Sequence, residues 1–369
     1  MALTNNLEPE VVAAKLADAL NRHLDGVADA RVSAVEFPSA NGLSNETLLF
    51  QASWTGHEGP QQERLVARVQ PTGPAVFPRY DLGLEFSVMS ALSRATDVPV
   101  PAMYFHEPDA DVLGAPFLVM ARVDGQVPSD DPPYTTTGWV LDLTPDEQRK
   151  LHSNGIQALA LIHAVDLDAV ELAMVRDHRE AGLNGQLSFW RDTFAWAAEG
   201  QSNPVVEAAL DWADRNRPAE IGVPVLNWGD ARVGNMLFTG DVSVAAVLDW
   251  EMVCVGPREL DLGWWLFMLR YYSEGLGVAQ LPGFPTRDEV IAEYRKISGA
   301  PVSDLHYFEV LAALRLSILM HRAANLMILA GQLPPDAPMR LSNPASQLLA
   351  KLLGLPAPSG ETQSFVGRR

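Results

Sequence analysis

Cysteine is almost missing from the chain: Cys254 is the single one in 369 residues. One thiol excludes an internal disulfide and any cysteine-built metal cluster. It fits a reducing, cytoplasmic setting. Lysine is scarce as well, with only Lys15, Lys150, Lys296 and Lys351, and the formal net charge is -19. Phosphate neutralisation draws on Lys and Arg, so this balance argues against nucleic acid and against anionic membrane surfaces. The N-terminal MALTNNLEPEVVAAKLADAL lacks the basic start and apolar run of a signal peptide. The most apolar late stretch, 310–330, is interrupted by Arg315, His321 and Arg322, which predicts a buried helix rather than a membrane span. Several site motifs are absent too: G-x-x-x-x-G-K-[ST], an early G-x-G-x-x-G, a G-x-S-x-G elbow and any zinc-spaced His pair.

What is present is an ordinary globular composition, 47% hydrophobic and 20% charged. The length suggests two or three lobes. Residues 8–24 read as an amphipathic helix. Strands are expected at 30–37, 46–54, 64–70 and 115–123, with a helix at 80–95 whose Leu84, Val88 and Leu92 share a face. Beyond residue 128 the character changes. A capping box of Thr144, Pro145 and Glu147 opens a helix over 144–165, and an Asn–Pro pair opens another at 203. Two short strands flank a TGD turn at 239–241, and the chain past Pro257 reads as helical. The expected class is α+β: a small β-rich N-terminal lobe over 1–122, a larger mainly helical lobe over 123–357 and a flexible tail over 358–369. A cleft between such lobes is a common ligand site.

The chemistry concentrates in NWGDARVGNMLF at 227–238 and VAAVLDWE at 244–251. Magnesium prefers oxygen ligands, and Asn235 and Asp249 supply one amide oxygen and one carboxylate. Asp230 is then available to accept the proton of an attacking hydroxyl. A base Asp, a metal Asn and a metal Asp form the part list of phosphoryl transfer. Singly, each has a plain structural reading: a turn, a cap, a strand-edge carboxylate. The ordered set D-x-x-x-x-N, strand, turn, strand, D is far more specific.

Together with VGPRELDLGWWLF at 255–267, these motifs resemble the aminoglycoside phosphotransferase/choline kinase group. The likeness extends over about residues 30–330 and points to the branch related to kinase domains fused to acyl-CoA dehydrogenases. That resemblance implies a bilobal protein-kinase-like fold using ATP and Mg2+, with Asp230 as catalytic base and Asn235 and Asp249 as metal ligands. It matches Asp261 to a residue that braces the catalytic loop, although a helix N-terminal carboxylate would look the same. It pairs Gly42, Ser44, Asn45 and Thr47 with the phosphate loop. Arg68 stands in for the phosphate-holding lysine, with Glu85 as its partner. The segment from Met120 to Val123 becomes the adenine hinge, and Leu237 and Val247 become the pocket floor. His163 reads as a packed structural histidine. One departure stands out: the family His before Gly-Asp is Trp228 here, and an indole can only donate.

The expected activity is transfer of the γ-phosphate to a hydroxyl of a small molecule, such as a hydroxyacyl compound, a sugar or an amino alcohol. Trp190, Trp264, Trp265 and Tyr271 suggest an apolar rather than a carboxylate-rich acceptor wall, or else belong to the core. The alternative, kept open by Trp228, is a catalytically inactive nucleotide-binding scaffold or sensor.

Overall fold

Period-two alternation over 46–69 builds the first unit. In the computed structural model, which describes residues 8–37, 46–57, 59–178, 180–219 and 221–364, β2 (Glu46–Gly56) buries Leu48, Phe50, Ala52 and Trp54 while the intervening positions face outward. Strand β1 (Arg31–Glu36), β2, β3 (Gly59–Val69), β4 (Met103–Glu107) and β5 (Phe117–Ala121) form one antiparallel sheet in the order β1-β2-β3-β5-β4. Helix α1 (Pro9–His23) lays Val12, Leu16, Ala19 and Leu20 against Leu48, Leu65, Ala67, Phe117 and Val119 in one core. Each fully buried Val, Leu or Phe in it contributes roughly 1.5–3 kcal/mol. Helix α2 (Leu82–Ala95) is inserted before β4 and capped by Asp81, whose carboxylate accepts from Leu84 N. A single turn, α3 (Ala110–Leu113), separates β4 from β5.

The chain divides into two compact units, Met1–Thr96 with Val100–Val123 and Asp97–Pro99 with Asp124–Arg369. The second is mainly helical: α4 (Trp139–Asp142), α5 (Pro145–His163), α6 (Gly182–Ala198), α7 (Pro204–Arg215), α8 (Glu259–Arg270), α9 (Arg287–Ser298), α10 (Leu305–Leu329) and α11 (Pro344–Leu353). The expected caps form. Thr144 Oγ1 accepts from Glu147 N while Glu147 Oε2 accepts from Thr144 N, and Asn203 Oδ1 accepts from Val206 N. Among the described residues α10 is the one helix long and apolar enough to cross a membrane, but 67% of its most apolar window is buried inside the protein. It packs on α8, α6, α7 and α11.

Two short antiparallel pairs interrupt the helices: β6 (Val225–Asn227) with β9 (Cys254–Gly256), and β7 (Met236–Phe238) with β8 (Val244–Val247). Strand β8 ends at Val247, so Asp249 lies beyond the strand rather than closing it. Its φ of +62° is left-handed, and a residue so placed cannot continue a ladder. The tail expected from residue 358 is anchored over its described part: Gln347 Nε2 donates to Pro358 O, Ser342 Oγ to Gly360 O, and Gln363 N to Ser342 O.

Candidate active site

Strand β6 delivers the chain into the loop that carries Asp230. Asn227, fully buried at the strand's end, donates its amide to Val225 O and Gly256 O. The next two backbone amides, Trp228 N and Gly229 N, both donate to the Asp261 carboxylate at 2.7 and 2.8 Å. Asp261 is fully buried in the first turn of α8, and His163 of α5 faces its Oδ2 at 3.2 Å. The other nitrogen of His163 lies 2.7 Å from Tyr294 Oη. Asp261 thus braces the loop, as the resemblance implies, and His163 is packed in the same network. At Gly229 φ is +96°, and a Cβ there would collide with the Met252 carbonyl. Only glycine lets the two loop backbones come this close.

Asp230 is half-buried, its side chain 16% exposed. Its Oδ1 accepts from Trp264 Nε1 at 2.7 Å, its Oδ2 from Asn235 Nδ2 at 2.7 Å, and both oxygens from Arg232 Nε at 3.1 Å. Arg232 Nη1 reaches both oxygens of Asp130 at 2.6 Å, and Tyr272 Oη donates to Asp130 at 2.5 Å. Burial penalises the Arg232 cation, yet the Asp130 and Asp230 carboxylates outweigh that penalty and hold it well above its ordinary value. Burial, and then Asp130, pushes the Tyr272 hydroxyl well up. Gly234 gives this clamp room, since a Cβ there would meet both Arg232 Nη1 and Asp130 Oδ1. Beneath the loop, buried Arg315 donates to Gly229 O at 2.8 Å and stacks 4.4 Å over Trp264. Burial lowers its pKa.

The β7–β8 pair brings the backbone of Asn235 beside Leu248, the residue before Asp249. Asn235 immediately precedes Met236, which pairs with Val247, and Leu248 N donates to Asn235 O at 2.9 Å. Asp249 is the next residue. Asn235 Nδ2 is committed to the carboxylate and backbone oxygen of Asp230, so its Oδ1 remains the amide's acceptor. Among the described residues no group of three or more His, Cys, Asp or Glu could hold a metal ion. The donors here are instead a carboxylate and an amide oxygen, the hard-ligand type that suits Mg2+ or Ca2+.

In the first unit the sheet register brings several predicted residues onto one face. Thr47 pairs with Arg68, which pairs with Leu118; one row along, Leu49 pairs with Val66 and Val66 with Met120. Arg68 Nη1 stands 3.7 Å from Glu85 Oε2 of α2, both side chains largely buried. Val123 is half-buried just past β5. Gly42, Ser44 and Asn45 lie outside the described residues.

A profile of the Phosphotransferase enzyme family matches residues 38–299. This chain belongs to that family. Membership brings phosphoryl transfer as its chemistry. A curated relative, the Probable acyl-CoA dehydrogenase IBR3 of Arabidopsis thaliana, is 27% identical over 71% of this chain and 32% of its own length. The acyl-CoA dehydrogenase family member 11 of Rattus norvegicus is 27% identical over 76% of this chain and 35% of its own. The chain thus spans about a third of these relatives. A solved candidate aminoglycoside phosphotransferase from Ralstonia eutropha shares the fold with a TM-score of 0.66 at 23% identity, over 92% of this chain and 95% of that one. An amicoumacin kinase solved with AMP-PNP and Ca2+ gives 0.54 at 14% identity, over 95% and 93%. The α+β, protein-kinase-like class is therefore established for this family member.

Sequence reasoning missed Asp130, Arg232 and Tyr272. Arg232 lies two residues past Asp230 in a bent loop that runs into a 3-10 turn at Val233–Asn235, so no strand periodicity marks it. Nothing local marks Asp130 or Tyr272. Of the two readings of the aromatic set, acceptor wall or core, the structure takes the core. Trp190, Trp264, Trp265 and Tyr271 are all at most 2% exposed, so they are core, and Trp264 Nε1 donates to Asp230 Oδ1. A surface recess of about 410 Å³ between α5 and α9, with Arg149, Lys150 and Glu293 among its walls, shares no residue with the Asp230 set.

Proposed function

We propose that this phosphotransferase moves the γ-phosphoryl group of ATP to a hydroxyl of a small molecule, with Asp230 receiving the hydroxyl proton. One observation carries the reading. The Asp230 carboxylate is fixed by Arg232, Asn235 and Trp264 inside the D-x-x-x-x-N loop of a family phosphotransferase. A preorganised acceptor needs no reorientation as the proton arrives. Asn235 and Asp249 would hold the divalent cation, which, when bound, neutralises charge on the transferred group. Arg68, fixed by Glu85, would grip phosphate oxygens with its planar fork. The amicoumacin kinase complex with AMP-PNP and Ca2+ supports a nucleotide with a divalent ion. For the acceptor, the acyl-CoA dehydrogenase names of the curated relatives favour a hydroxyacyl compound over a sugar or an amino alcohol. Trp228, the feature that favoured an inactive scaffold, has a defined bonding role, and the catalytic reading stands ahead.

The test is ATP consumption against a panel of hydroxyacyl compounds, sugars and amino alcohols. Asp230→Asn is expected to lower turnover at least about a hundredfold while nucleotide affinity stays near that of the unmodified protein. Equal turnover in the two proteins overturns the assignment of Asp230.

A further inference from the structure

Trp228 occupies the position where the family pattern has histidine, and its side chain is engaged with the turn that carries Asp249. The indole Nε1 donates to Leu248 O at 2.8 Å. Leu248 precedes Asp249, the residue with the left-handed backbone. The Trp228 ring lies 6.2 Å from that of Trp250, whose own Nε1 donates to Val247 O at 3.2 Å. One residue on, Gly229 packs its Cα face on the Met252 carbonyl. Trp228 itself is fully buried, with its backbone amide fixed on Asp261. The loop bearing Asp230 and the turn bearing Asp249 therefore meet on both sides of the Asp249 residue, at 248 and at 252.

We infer that Trp228 is a positioning residue for the divalent-cation site: its indole N–H holds the Leu248 carbonyl and so fixes the turn that aims the Asp249 carboxylate. A backbone held at φ +62° by a non-glycine residue persists only where its surroundings over-determine it. The Leu248 carbonyl belongs to the peptide bond that leads directly into Asp249, so a grip on it acts on the φ of that residue. Without the N–H the carbonyl loses this partner, and the turn can relax toward an unstrained conformation that carries Asp249 off its aim. An N–H donor is what the position requires, which either a tryptophan or a histidine provides. The inference rests on the proposed cation role of Asn235 and Asp249.

The test measures Mn2+ binding in the presence of AMP-PNP, by calorimetry and by electron paramagnetic resonance, together with AMP-PNP affinity without metal and the thermal midpoint. Trp228→Phe keeps the aromatic bulk and removes the donor. It is expected to weaken Mn2+ binding about five- to tenfold, the loss of one buried hydrogen bond, with metal-free AMP-PNP affinity unchanged. Trp228→His, which restores a donor, should recover part of the loss. Should the Phe variant fail to fold, benzothienylalanine placed at 228 removes the N–H with almost no change of shape. Asp249→Asn separates the two levels: it should weaken Mn2+ binding further than Trp228→Phe. Normal Mn2+ binding in Trp228→Phe beside weak binding in Asp249→Asn overturns the role of Trp228 alone. Normal binding in both overturns the cation site and the inference with it. An equal loss of metal-free AMP-PNP affinity and of Mn2+ binding in Trp228→Phe reduces Trp228 to a general structural residue and also overturns it.

Discussion

At the scale of single residues, the site depends on backbone conformations that particular side chains permit. Gly229 is the sharpest case. Its φ of +96° is unfavourable for any L side chain, and a Cβ would strike the Met252 carbonyl, a backbone atom that cannot swing aside. Gly229→Ala is expected to destabilise the protein by about 2–3 kcal/mol and to abolish phosphoryl transfer, because relief requires the Asp230 loop to move off the Asp249 turn. A denaturant midpoint unchanged by the substitution would contradict this. The pairing of Asp230 with Asn235 is legible in the sequence, because oxygen-bearing side chains at fixed spacing before a short hairpin serve few structural needs; the cation role of Asn235 and Asp249 is a proposal. Asp261 is half legible: its place in a first helical turn can be read, but its acceptance of two loop amides cannot. Asp130 is illegible, since a carboxylate about 100 residues before its partner acts through tertiary contact alone.

At the scale of elements, the segment between β5 and α4 is tied to the Asp230 loop by one guanidinium. Arg232 sits between Asp130 and Asp230, and Tyr272, in the π-turn that follows α8, closes the chain of bonds. Such a network couples its members, so single deletions should not add. Arg232→Ala and Asp130→Ala are each expected to lose about 1–3 kcal/mol, discounted from a fully buried pair because Asp130 is 36% exposed. The double variant should lose less than the sum by roughly 1 kcal/mol or more. A denaturation cycle on the four proteins checks this, and strict additivity would refute the clamp. Element-level legibility follows the same logic. Strands β2 and β3 are readable because one face is buried and the alternation is clean. Strands β6 and β9 are not, being three residues long and buried throughout. The apolar run VAAVLDW misleads at its end, where the strand stops at Val247 although the pattern continues.

At the scale of the whole molecule, the helical unit carries neutral histidines in its interior, and this sets a pH dependence separate from any catalytic group. His152 is fully buried; its Nε2 accepts from Trp265 Nε1 at 2.8 Å, and its Nδ1 has no hydrogen-bond partner among the described residues. Burial pulls its pKa down to about 3. His321, also fully buried and next to the Asn203 amide, is pulled down to about 4 by burial, partly offset by its contact with the Arg340 backbone. A histidine in the unfolded chain takes up its proton near 6.5. The unfolded state therefore binds protons first. The stabilisation from each neutral ring is complete above about pH 6.5 and is lost as pH falls toward about 4 for His321 and about 3 for His152. Within that window each group tilts stability by roughly 1 kcal/mol per pH unit. His152→Gln offers Trp265 an amide oxygen in place of the ring nitrogen and removes the titration. It is expected to lose stability at about pH 7, through poorer packing against Phe284 and Trp265, yet to fall less than the unmodified protein between about pH 6.5 and about pH 5. Urea midpoints for both proteins across that range decide the matter. Carboxylates common to both titrate in parallel and cancel, so parallel curves would mean that His152 is not held neutral by the fold.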